Sequence, residues 1–79
     1  MPKVNRFNVK ADVQLGTIIA TKRRALGMPQ TALGEAIGVT FQQVQKYERG
    51  TNRITVARLL DIAKALGVKA SELVKMVEK

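Results

Sequence analysis

Seventy-nine residues make one small domain, so its core is marginal unless it folds as a compact helical bundle or is helped by self-association. There is no cysteine, which excludes disulfides and thiolate metal sites, and no histidine, which removes the commonest general base and metal ligand. No apolar run is long enough to span a membrane, and the polar, basic N-terminus lacks the apolar segment of a secretory signal, so a cytoplasmic protein is expected.

The net charge is +8 and it is unevenly spread. Residues 1–53 hold nine basic and three acidic side chains, whereas residues 54–79 hold five and three. Scattered lysine and arginine often serve only solubility. Charge concentrated beside one helical motif favours a nucleic-acid partner instead.

Residues 1–11 show no period and read as a basic N-terminal arm bearing Lys3, Arg6 and Lys10, with Phe7 and Val9 able to tuck onto a domain of residues 12–79. Such an arm contacts DNA, or is an ordinary frayed terminus. Asp12 is expected to cap a first helix whose apolar face holds Leu15, Ile19 and Leu26, broadened by Ile18. Arg23 falls on that same face, where a charge needs a partner. Gly27 ends the helix, and Pro29 suits the first turn of a second helix running to Ile37.

Gly38-Val39-Thr40 then joins this short helix to a third, from Thr40 as N-cap to just before Gly50. Ala32, Gly34 and Ala36 keep the second helix slim, so the third can cross it closely and steeply. At about 100° per residue, Val44 and Tyr47 of the third helix point inward with Glu48 beside them. Gln42, Gln45, Lys46 and Arg49 point away. A helix face of this composition on a basic chain suits the major groove of DNA. Arg23 and Glu48 stand at the margins of two apolar faces and are expected to form one half-buried ion pair.

Thr51-Asn52-Arg53 reads as a polar loop. Thr55 can cap a fourth helix whose apolar face comprises Val56, Leu59, Leu60, Ile62, Ala63 and Leu66, closed by Gly67. A fifth helix covers about Ala70 to Val77, its start poorly capped because Lys69 stands where a polar cap is usual. Its apolar Leu73, Val74, Met76 and Val77 suit either the core or a dimer seam. Every periodic segment is helical, so the expected fold is all-α with five helices.

Taken in order, Arg23-Arg24-Ala25-Leu26-Gly27, Gln30 with Leu33, Gly38-Val39-Thr40, Tyr47-Glu48-Arg49-Gly50 and the run Leu59 to Val68 resemble the Xre-type helix-turn-helix regulators, the family of the lambda-type repressors and Cro proteins. The resemblance runs from about Leu15 to Val74. It implies a lambda-repressor-like DNA-binding domain whose third helix reads double-stranded DNA. It also agrees with the ion pair, since the family commonly places an arginine and a glutamate at the positions of Arg23 and Glu48.

The base-reading candidates are Phe41, Gln42, Gln45 and Lys46. A glutamine near the start of a recognition helix can bond adenine N6 and N7 together, which makes Gln42 the sharpest of them. Lys46, one turn on, reaches a guanine or a phosphate. Phe41 meets a thymine methyl or merely covers the core margin. Gln30, Thr40, Gln43, Arg49, Asn52 and Arg53 are the candidates for the DNA backbone, which fixes register without reading sequence. Three departures from the family pattern stand out: Gly34 replaces a usual alanine, Phe41 an often polar residue, and Thr55 a frequent proline.

The expected activity is sequence-specific DNA binding by a dimeric repressor on a palindromic operator. The alternative is an antitoxin or other interaction module that binds a protein through its C-terminal helices. An enzyme is not expected: histidine, cysteine and a Gly-rich phosphate loop are all missing, and Glu35 and Glu48 lie in different helices. No cofactor, metal or small-molecule ligand is expected, nor a built-in sensor domain at this length.

Overall fold

Residues 9–78 are described by the computed structural model, and they form five α-helices joined by short turns. These are α1 (Val9–Ala25), α2 (Gln30–Ile37), α3 (Phe41–Arg49), α4 (Val56–Leu66) and α5 (Ala70–Val77). The helix α1 packs on α3 and α5, α2 packs on α3 and α4, and α4 packs on α5. The five largest fully buried side chains are Ile19, Leu33, Val44, Ile62 and Leu73, one from each helix. Each such burial is worth about 1.5–3 kcal/mol, so each helix is fastened to one shared centre. Leu15, Ile18, Met28, Val39, Ile54 and Val68 close its margins.

Local chemistry sets the helix ends. The hydroxyls of Thr40 and Thr55 accept from the backbone N–H of Gln43 (3.2 Å) and Arg58 (3.1 Å), capping α3 and α4. No side chain caps α2 or α5 at its start. Met28 N–H bonds to Arg23 O and Gly27 N–H to Arg24 O, the paired pattern that closes a helix C-terminus.

Four expectations need correction. Asp12 does not cap α1: the helix already includes Val9, Lys10 and Ala11, and Asp12 lies within its first turn. None of these residues breaks a helix, and a carboxylate in the first turn suits the positive end of the dipole. The arm's Lys3, Arg6 and Phe7 lie outside the described residues. Leu26 is not a core residue but is 57% exposed, because α1 stops at Ala25 and the chain turns away; Met28 fills the core margin instead. Val56 and Leu60 are likewise exposed, since α2 and α5 cover only the Leu59, Ile62, Ala63 and Leu66 side of α4. The Arg23–Glu48 pair is buried, not half-buried.

One close approach was not expected. A Cβ added at Gly16 would overlap the backbone carbonyls of Tyr47 and Glu48, so α1 lies directly against the end of α3. A glycine within a helix costs about 1 kcal/mol relative to alanine, and here that loss allows backbone contact.

Candidate nucleic-acid interface

The turn between α2 and α3 is built on Gly38, whose φ of 77° is the left-handed conformation that glycine adopts without strain. Val39 N–H bonds back to Gly34 O at 2.8 Å. A Cβ at Gly34 would stand 2.6 Å from Val39 O, so the missing methyl group lets the turn fold tightly over α2. The turn delivers Thr40 to its cap position, and α3 starts at Phe41.

Along α3 the sorting of side chains follows the helical period. Val44, Tyr47 and Glu48 are buried; Phe41, Gln42, Lys46 and Arg49 are exposed; Gln43 and Gln45 are half-buried. The outer face therefore carries two amide-bearing or cationic rows and no acid. The single acid of α3, Glu48, is turned inward. Its Oε2 accepts from Arg23 Nε at 2.6 Å, and its Oε1 accepts from Arg23 Nη2 at 3.0 Å and Gln30 Nε2 at 2.9 Å. Arg23 Nη1 also donates to Met28 O at 2.7 Å. No buried side-chain nitrogen or oxygen among the described residues lacks a partner. A buried charge pair satisfied on every side fixes geometry at small net gain in stability. This one fixes α1, the start of α2 and the end of α3 together.

The backbone candidates divide into two groups. Gln30 and Arg49 line one polar cleft of about 250 Å³, together with the base-reading candidate Gln45 and with Arg24 on its α1 side. Gln30 spends one amide N–H on Glu48 and keeps its second, beside the open N-terminus of α2. Asn52 and Arg53 follow α3 in the loop, where the carbonyl of Lys46 accepts from the N–H of Thr51 (3.0 Å) and Asn52 (3.3 Å) and from the Thr51 hydroxyl (3.2 Å). The Arg53 guanidinium lies 3.6 Å from the Asp12 carboxylate on α1. Thr40 uses its hydroxyl oxygen as an acceptor and keeps its O–H to donate.

Phe41 is 42% exposed, so its ring is not claimed by the core. Phe41, Gln42 and Lys46 are each exposed, whereas Gln45 is half-buried and lines the cleft. No group of acids, His or Cys able to hold a metal occurs among the described residues. No described helix is long and apolar enough to cross a membrane.

Two residues that shape this surface escaped the sequence reading. Gly16 had a signal, a glycine in the middle of a helical period. Arg58 of α4 had none. Its guanidinium donates to the carbonyl of Ile37, the last residue of α2, and lies 3.7 Å from Asp61. Only the packing of α4 on α2 reveals that contact.

The helix-turn-helix family model HTH_3 matches residues 19–73. The chain belongs to the Xre-like helix-turn-helix family. An uncharacterized HTH-type transcriptional regulator of Sinorhizobium fredii is 52% identical over 71 residues, which are 89% of this chain and 50% of the relative. An uncharacterized transcriptional regulator in the ATPase CF(0) region of Rhodospirillum rubrum is 54% identical over 57 residues, 72% of this chain and 53% of the relative. The chain spans about half the length of the curated relatives it matches. Among solved structures, the restriction-modification controller protein C.AhdI of Aeromonas hydrophila superposes with a TM-score of 0.74 at 30% identity, over 77% of this chain and 92% of that one. The clp gene regulator ClgR of Corynebacterium glutamicum shares the fold, with a TM-score of 0.81 at 22% identity over 86% and 88% of the two chains. Both the all-α architecture and the family resemblance drawn from the sequence are thereby confirmed.

Proposed function

We propose that this chain binds double-stranded DNA in a sequence-specific manner and regulates transcription, acting as a dimeric repressor on a palindromic operator in the cytoplasm. The observation that carries the reading is the outer face of α3. It presents Gln42 and Lys46 to the open side with no acid among them, on a helix locked from behind by Arg23 and Glu48. A major groove about 12 Å wide admits such a helix, and the amide and ammonium groups match purine edges there.

In this reading Gln42 reads bases, with Phe41 and Lys46 beside it and Gln45 at the edge. Gln30, Thr40, Gln43, Arg49, Asn52 and Arg53 hold the sugar-phosphate backbone. The dimer follows from the size of the reading head: one nine-residue helix contacts too few base pairs for useful specificity. Val56 and Leu60 on α4, and Val74 and Met76 on α5, are the exposed apolar side chains from which a two-fold contact can be built. The named relatives are described as transcriptional regulators, which adds nothing to the antitoxin alternative.

Selection of bound sequences from a random duplex pool tests the reading. A recovered inverted repeat is the expected result. Recovery of no preferred sequence would overturn it.

A further inference from the structure

The helix α2 is the least self-sufficient part of the reading head. It has eight residues, includes Gly34, lacks a side-chain cap at its start and lacks a basic residue in its last turn. A helix this short is not stable alone, so its position is set from outside. At its start, Arg23 of α1 donates to Met28 O and Gln30 is held by Glu48. At its end, Arg58 of α4 donates to Ile37 O, directly before the Gly38-Val39-Thr40 turn. A guanidinium from α1 thus holds the chain at Met28, just before the helix, and a guanidinium from α4, which packs against α2, holds its end. Asp61, one turn further along α4, lies 3.7 Å from the same Arg58 guanidinium and helps hold it.

We propose that Arg58 is a positioning residue for DNA reading: by holding the Ile37 carbonyl it fixes the turn, and through the turn the angle at which α3 is presented to the groove. The physical ground is that the carbonyls at a helix C-terminus have no partner within the helix and carry partial negative charge, so a cation placed there both bonds and orients them. The first covalent link after that carbonyl is the Ile37–Gly38 peptide. Gly38 is the most permissive residue in the motif, so an unpinned Ile37 carbonyl leaves the crossing of α2 and α3 poorly defined. Arg58 acts at the end of α2, whereas Arg23 and Glu48 act at its start, so neither pin substitutes for the other.

The inference rests on the DNA-reading role proposed above, and the test separates the two. Arg58→Met keeps the aliphatic stem and removes the guanidinium, and Arg58→Lys restores one donor. In the free protein, the N–H of Val39, bonded to Gly34 O, should exchange with solvent about tenfold faster in Arg58→Met, the order expected for a lost charged hydrogen bond. Exchange in α1 should stay unchanged, and Arg58→Lys should recover much of the protection. On DNA, Arg58→Met should lose about tenfold in preference for the selected site over random duplex, as when one bidentate base contact is loosened, with random-duplex affinity retained. Arg58→Gln takes the place of Arg58→Met should the latter not fold. Unchanged exchange at Val39 overturns the proposal, and so does a uniform loss of protection through all helices with base preference intact. If the wild-type protein selects no sequence, the DNA-reading role fails, and the exchange measurement still decides whether Arg58 holds the turn.

Discussion

Arg23 and Glu48, 25 positions apart in the chain, meet by two side-by-side N–H···O bonds of 2.6 and 3.0 Å beneath the helix that faces outward. Neither side chain is more than a tenth exposed. Removing one partner leaves the other charged, dry and unpaired, which costs about 3–5 kcal/mol. Arg23→Ala and Glu48→Ala should each lose stability on this scale in denaturant unfolding. The double mutant should lose much less than the sum, because the second deletion removes the orphaned charge. Additive losses would show that the two are not coupled.

The contact of α1 with the end of α3 yields a second expectation. Alanine has the better helix propensity by about 1 kcal/mol, so Gly16→Ala would stabilise an isolated α1. In the folded protein the new methyl group meets the carbonyls of Tyr47 and Glu48, which are backbone atoms that cannot rotate away. Gly16→Ala should therefore lower the thermal midpoint, with a net loss of about 1–3 kcal/mol as for other overpacked sites. An unchanged or raised midpoint would mean that α1 can slide away from α3 at little cost.

The sequence was most informative where local rules and periodicity decide. Thr40 and Thr55 cap helices because a hydroxyl at that position bonds the third backbone N–H whatever else surrounds it. Val44 and Tyr47 point inward because the helical period allows little else. The readings failed where the decision belongs to another element. Leu26 obeys the period but stands one residue past the last helical turn. Val56 and Leu60 continue an apolar stripe wider than the surface that α2 and α5 offer to cover it. Within the interface, the outward direction of Gln42 and Lys46 was legible from the wheel. The engagement of Gln30 with Glu48 and of Arg53 with Asp12 was not, because both link residues distant in sequence.

If two copies read a palindrome, the two α3 helices must enter successive major grooves on one face of the duplex. Half-sites should then be about 34–36 Å apart, one helical turn. Footprinting on the selected site should show two protected half-sites, and titration should give two chains per duplex. Protection of one asymmetric half-site by a single chain would exclude the dimer. A monomer in free solution agrees with a dimer formed only on DNA, so the stoichiometry is to be measured on the complex.

The division of labour along and beyond α3 gives the last expectation. Gln42 is exposed near the start of the helix, the end proposed to enter the groove, and its amide can donate and accept at once. Gln42→Ala should lose about 1–3 kcal/mol at one matched base pair and little on random duplex. Arg53 lies past the end of α3, beside the carboxylate of Asp12. Both groups of that pair are partly exposed, so it is weak in water, and a phosphate with its full negative charge can take its place. Arg53→Ala should weaken cognate and random duplex alike and reduce the slope of log affinity against log salt by about one unit. Asp12→Asn removes the competing carboxylate and should do the opposite, tightening both duplexes together without altering base preference. Titrations of the three variants against the selected site, its single-base variants and random duplex, at several salt concentrations, separate the roles. The division is wrong if Gln42→Ala keeps every base preference, or if Arg53→Ala changes the preference at one position and leaves the salt slope intact.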